Sequence, residues 1–351
     1  MNGGWGAGSH GRHLGRKAAW KLFREFISPA TFQELFAAPP PLRLVVEQQL
    51  GSLADRAIKL KLKTDDGQSI ECVVLLPTGK PGHPTRRATA CVSSQIGCAV
   101  GCPFCATGMM GWKGNLNADQ IWEQVYWAGL LAAQSGRRLR NVVFMGMGEP
   151  LHNRQHVLAA IERLLDGRRG FGLAPRHITL STVGVPRGMI ELAQRFPGVR
   201  QAVSLHAAIP EMRRRLVPKA VGDLETLRET IAQINRLQDQ ATVWLEMVLL
   251  EGINDDDHHV DALIAFCAGL RVSVNLIPYN TLPGHELWQP TPQPRREAIA
   301  NRLRSAGIRT TIRTSFGRDL QAACGQLSGL HAASSPPSAS ARPAHTLPWL
   351  P

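Results

Sequence analysis

The chain has 351 residues, 44% of them hydrophobic, and a formal net charge of +13. That is enough apolar material for a sizeable core, and the charge points to a polyanionic partner such as nucleic acid. Seven cysteines, odd in number and concentrated in one loop, exclude a secreted disulfide scaffold. No signal peptide and no apolar run of bilayer length stand out, so the expected setting is a reducing cytoplasm without a membrane partner. Residues 1–18, rich in Gly, Arg and His, read as a mobile basic arm. Residues 19–60 carry helical patterning, at 19–27 and 42–47 in particular, interrupted at Pro39-Pro40-Pro41. A hairpin is expected over about 57–77, followed by a Gly/Pro/His-rich connector at 78–85. Together these make a small N-terminal helical and β extension over 19–86.

From 87 to 329 strands and helices alternate. Strands are expected at 88–94, 141–146, 177–182, 200–205, 242–249, 272–278 and near 308–313. Helices are expected between them, at 118–133, 154–166, 187–195, 223–237, 257–268 and 293–305. This rhythm predicts an α/β fold, a partial parallel (β/α)6 barrel whose chemistry collects at the C-terminal ends of the strands. The tail at 330–351 is Ala, Ser and Pro with almost no core pattern, and is expected to be disordered.

The most informative segment is Cys98-Ala-Val-Gly-Cys102-Pro-Phe-Cys105. Three soft thiolates at C-x3-C-x2-C spacing suit a [4Fe–4S] cluster, with one iron left open. S-adenosylmethionine can chelate that iron through its amino and carboxylate groups, which is the radical-SAM pattern. The alternative is a structural zinc ion, with Cys91 or a distant His as fourth ligand.

Three further motifs narrow the reading: Cys91-Val-Ser-Ser-Gln-Ile-Gly-Cys98, Met145-Gly-Met-Gly-Glu149-Pro150 and Ala322-Ala-Cys324-Gly-Gln-Leu327. From about 66 to 329 the chain resembles the RlmN/Cfr family of radical-SAM RNA adenine methyltransferases, on the RlmN side. It departs from the family in its first 60 residues and at 315–320. The resemblance implies methylation of an adenine carbon, carbon 2 first, in structured RNA such as 23S ribosomal RNA, with transfer RNA a further candidate substrate. Carbon 8, as in Cfr, is the alternative; a non-catalytic iron–sulfur redox sensor that binds RNA is another. It also implies an electron donor such as flavodoxin or ferredoxin.

The resemblance assigns roles residue by residue. Cys98, Cys102 and Cys105 would hold the cluster. One S-adenosylmethionine methylates Cys324. A second is cleaved to a 5′-deoxyadenosyl radical that takes hydrogen from that methyl, and the methylene radical adds to the base. Cys91 then resolves the adduct through a transient Cys91–Cys324 disulfide. Glu71 matches the proton acceptor. Gly148, Glu149, Ser181, Ser204, Leu205, His206 and Asn280 would contact S-adenosylmethionine. An electropositive neighbour should favour the Cys324 thiolate, and Arg318 is nearest in sequence. Taken alone, most of these residues have plainer readings: Cys324 as a packed thiol, Glu71 as a solvated strand face, His206 as a satisfied barrel histidine and Asn280 as a turn residue. Arg137-Arg138-Leu-Arg140, Arg168-Arg169 and Arg213-Arg214-Arg215 read singly as solvated surface and collectively as phosphate contacts.

Overall fold

Ten strands account for nearly all of one eleven-stranded sheet. They are β1 (Val45–Leu50), β2 (Ala57–Lys63), β3 (Ser69–Leu75), β4 (Arg87–Cys91), β5 (Arg138–Phe144), β6 (Ile178–Thr182), β7 (Arg200–Ser204), β8 (Val243–Leu249), β9 (Val272–Pro278) and β10 (Arg309–Ile312). The computed structural model describes residues 42–80, 83–167, 171–238, 242–282, 288–313, 317, 320–328 and 342–343. The basic arm, the helical patterning at 19–27, Arg168-Arg169, Arg318 and most of the tail lie outside these residues.

Spatial order follows sequence order, from β10 at one edge back to β1, with Arg342–Pro343 bridging onto β1 at the other. Strands β4 to β10 are mutually parallel. Strands β1, β2 and β3 join as an antiparallel meander. The predicted α/β barrel is therefore present, open on one side and extended by three strands.

Besides a single helical turn at Ala106–Met109, directly after Cys105, the helices among the described residues are α1 (Ala118–Gln134), α2 (Arg154–Leu165), α3 (Pro186–Arg195), α4 (Pro210–Leu216), α5 (Leu224–Leu237), α6 (Asp257–Cys267) and α7 (Gln293–Ser305). They begin where the sequence provides caps. Asn117 and Gln120 exchange a reciprocal capping box at α1, while Asp223 and Asp256 accept from Thr226 and His259 backbone N–H groups. The Asp255-Asp256-Asp257 run is thus a helix start. Alternate strand residues, including Ala88, Ala90, Val142, Phe144, Ile178, Leu180 and Val203, are fully buried in the core. Each large apolar side chain buried this way contributes about 1.5–3 kcal/mol. The other alternation faces the concave side and carries Ser181 and Ser204.

Two local expectations were wrong. Residues 45–50 are a strand, not helix: Leu44 and Val46 are buried while Val45 between them is 63% exposed, a period of two. Pairing with β2 and two backbone N–H bonds from Arg43 and Leu44 to the Glu123 carboxylate override the local helical pattern. The strand expected over 88–94 ends at Cys91, and the chain then forms a small hairpin, Gln95–Gly97 with Trp112–Asn115, that frames the cysteine loop.

Candidate active site

One cavity at the C-terminal ends of the strands gathers the cysteine loop, the strand-end residues and Cys324. Cys98, Cys102 and Cys105 form one wall, each partly buried. Their loop is fixed by backbone bonds from Cys98 N to Gly111 O (2.9 Å) and from Cys105 N to Cys102 O (3.1 Å). Burial raises all three thiol pKa values, that of Cys98 to about 11. Cys102 is raised well above its usual range, with Cys105 and Cys98 adding to the effect of burial. Three thiolates here repel one another in a poorly hydrated wall, and a cationic iron core relieves both penalties. The all-sulfur donor set therefore fits a cluster.

The strand ends supply the opposite wall. Gly148 has φ +98°, and a Cβ there would lie 2.5 Å from Gln95 Cβ, so only glycine permits this approach. Glu149 is buried and its carboxylate accepts from Leu151 N (2.9 Å) and Val183 N (2.8 Å). Burial still raises its pKa to about 7. It pins the turn after β6 to the turn after β5. Ser181 and Ser204 face each other, Oγ to Oγ 3.3 Å. His206 has φ +58° and Nδ1 accepts from Val248 N (3.1 Å). Burial, then Arg213, lowers its pKa to about 3. The neutral ring therefore carries its proton on Nε2. Leu205 is fully buried and is not part of the cavity lining.

The third wall is the segment 320–328, with Cys324 exposed at the cavity. Asn280 Nδ2 donates to the Cys324 carbonyl (3.0 Å), and Ala106 N to Gly325 O (2.7 Å), so Cys324 is tied to both the β9 end and the cysteine loop. Desolvation raises the Cys324 thiol pKa, while Arg313 opposes it and Glu246 adds to it. Arg313 sits 3.3 Å from Glu246 Oε2, and Asn275 donates to Glu246 Oε1 (2.9 Å). Among the described residues, the cation acting on Cys324 is thus Arg313. The thiol pKa of Cys91, buried at the end of β4, is raised well above its usual range, first by burial and then by the charge of Cys324.

Glu71 lies off the cavity, in a buried ion pair with Lys59 (3.2 Å). Arg213 departs from the surface reading of its run: it is buried and its guanidinium donates to the carbonyls of Ser204 (3.0 Å), Leu205 and Val183 (2.6 Å). On a helix, three consecutive residues cannot share one face, so one arginine of the run had to turn inward. Lys59 and Arg313 gave no local signal.

A family model described as the Radical SAM superfamily matches residues 92–264. A probable RNA methyltransferase of Rhodopirellula baltica is 41% identical over 317 residues, covering 89% of this chain and 81% of that protein. A probable dual-specificity RNA methyltransferase RlmN of a Synechococcus strain is 40% identical, covering 90% and 86%. The chain belongs to the RlmN-like radical-SAM RNA methyltransferases. A crystal structure of a radical SAM methyltransferase from Sphaerobacter thermophilus superposes with TM-score 0.77 at 33% identity, covering 91% of this chain and 93% of that one. The superfamily match begins after Cys91 and ends before Cys324. The two outlying cysteines of this family member therefore stand outside the segment shared with radical-SAM proteins at large.

Proposed function

We propose that this enzyme methylates carbon 2 of an adenine in large-subunit ribosomal RNA, with transfer RNA as a second substrate, using Cys324 as methyl carrier. The observation that carries the reading is that Cys324 and the three-cysteine wall line one cavity, while Cys91, buried at the end of β4, feels the charge of Cys324. A relative from Nitrosopumilus maritimus, 41% identical and covered over 76% of its length, is named a ribosomal RNA large subunit methyltransferase N. Other relatives are named dual-specificity RNA methyltransferases.

Cys98, Cys102 and Cys105 would hold a [4Fe–4S] cluster, and Gly148, Glu149, Ser181, Ser204 and His206 would cradle S-adenosylmethionine. When bound, cluster and S-adenosylmethionine supply the methyl group and the hydrogen-abstracting radical, fed by a flavodoxin- or ferredoxin-type donor in the cytoplasm. Cys324 takes the methyl on Sγ after losing its thiol proton, which Arg313 favours electrostatically. The carbon carried on Cys324 bonds to the adenine. The adduct gives up its carbon-2 proton and one electron, which a bound cluster would accept. Cys91 Sγ, as a thiolate, then attacks Cys324 Sγ, the Cys324 S–C bond breaks, and the released carbon takes a proton to become the methyl group. The disulfide left behind is reopened by a two-electron reductant. Glu71 would need to leave its Lys59 pairing, or act through water, to accept the carbon-2 proton. The test is mass-spectrometric mapping of ribosomal RNA from cells with and without the gene. A 2-methyladenine lost on deletion is expected; unchanged methylation, or loss of an 8-methyladenine, contradicts the assignment.

A further inference from the structure

The concave face of the sheet carries a second group of side chains that the reaction leaves unused. Cys91, Ser181 and Ser204 lie on this face at the ends of β4, β6 and β7. Strand side chains alternate with a period of two, so residues four positions earlier share the face, about 13 Å nearer the N-terminal end. On β4 and β7 those residues are Arg87 and Arg200; His177 sits in the turn just before β6, its Nδ1 3.1 Å from Asn141 Oδ1 of β5. Arg138 and Arg140 join them from β5, where a register shift against β4 between Ala88 and Thr89 breaks the alternation that buries Val142 and Phe144 and sets Arg138 opposite Arg87; Arg176 joins from the turn before β6.

The register places Arg87 directly beside Arg138. Like charges on neighbouring strands destabilise a sheet. Among the described residues, no carboxylate pairs with Arg87, Arg140, Arg176 or Arg200. Arg140 and His177 register the crowding: the pKa of each is pushed down first by desolvation and then by surrounding arginines. Between this rim and the cavity, Thr89, Val143 and Thr179 are only half-buried, so the concave face is not covered there. The opposite end is bridged by the bond from Ala106 to Gly325 and that from Thr107 Oγ1 to Leu327 O.

We propose that this arginine rim binds the phosphate backbone of the RNA strand that delivers the target base into the barrel from its N-terminal end. The inference rests on the RNA methyltransferase reading. Guanidinium forks suit phosphate oxygens, and Arg87, Arg140, Arg176 and Arg200, spread over β4, β5, the turn before β6 and β7 without a carboxylate partner among the described residues, suit a polyanion rather than a single small anion. An acidic electron carrier fits less well, because the cysteine loop lies at the other end of the strands.

The test compares the cluster-loaded enzyme with Arg140→Gln/Arg200→Gln and with a control, Arg187→Gln/Arg236→Gln, which removes the same charge from exposed positions of α3 and α5. Binding of a fluorescein-labelled hairpin RNA is followed by anisotropy across a potassium chloride series. The rim variant is expected to bind about tenfold or more weakly, with a log K against log salt slope shallower by about 1.5. RNA-independent S-adenosylmethionine cleavage with dithionite and the melting temperature should not fall. A slope equal to the control's overturns the proposal while leaving the RNA reading intact; a wild type that binds no RNA overturns both. Intact RNA binding with loss of flavodoxin-driven, but not dithionite-driven, cleavage assigns the rim to an acidic electron carrier and overturns it also.

Discussion

Lys59 and Glu71 form a buried ion pair that holds both ends of the segment carrying Cys324. Lys59 Nζ is 3.2 Å from Glu71 Oε1 and donates to the Gln321 carbonyl at 3.2 Å, while Ser328 N donates to Glu71 Oε2 at 3.1 Å. The two contacts flank Cys324 by three and four residues. A pair on β2 and β3, outside the barrel, therefore fixes the height of the methyl carrier over the cavity.

Breaking the pair leaves a buried charge without its partner, which costs about 3–5 kcal/mol. Lys59→Met should lower unfolding free energy in urea by that order, while Lys59→Met/Glu71→Gln should lose clearly less than the sum of the single changes. Simple additivity would mean that the two side chains do not stabilise each other.

The acid limb of stability should carry the signature of His206. Its folded pKa of about 3 lies below the usual 6.5, so the unfolded chain binds the extra proton between those values. Stability from this group is full above about 6.5 and is lost as pH falls toward 3, by about 4–5 kcal/mol in all. His206→Asn keeps a residue tolerant of positive φ and should flatten the wild-type slope by about one proton across pH 4–6. Urea unfolding at several pH values measures this, and parallel slopes would contradict it.

Arg313 and Glu246 should tune the Cys324 thiol in opposite directions. Arg313 lowers its pKa and Glu246 raises it. Arg313→Gln should slow iodoacetamide alkylation of Cys324 near pH 8 and Glu246→Gln should speed it, roughly tenfold for each unit of pKa. Peptide mass spectrometry reads the rate at this one thiol. The same direction for both variants would rule out the electrostatic account.

The barrel was legible because each parallel strand is a short apolar, β-branched run and each helix carries an amphipathic period with turn residues between. The three-cysteine wall and the strand-end residues Gly148, Glu149, Ser181, Ser204 and His206 followed from motif and position. Contacts joining distant segments were not legible. Lys59 meets Gln321 across 262 residues and Ser328 meets Glu71 across 257, and neither side leaves a local pattern. Leu205 was assigned to the site by its place in Ser204-Leu205-His206, yet strand alternation already turned its side chain away. The hairpin at 95–97 and 112–115 was hidden because its short strands are rich in Gly and polar residues rather than alternating apolar ones.

The central claim is a division of labour between two thiols: Cys324 bonds to the RNA and Cys91 releases it. The direct measurement is a denaturing gel of labelled RNA after one turnover by cluster-loaded Cys91→Ala and Cys324→Ala proteins, with mass spectrometry of any crosslinked peptide. Cys91→Ala should accumulate a covalent protein–RNA adduct at Cys324, and Cys324→Ala should form none. Normal turnover without adduct by Cys91→Ala, or full RNA methylation by Cys324→Ala, would contradict the account.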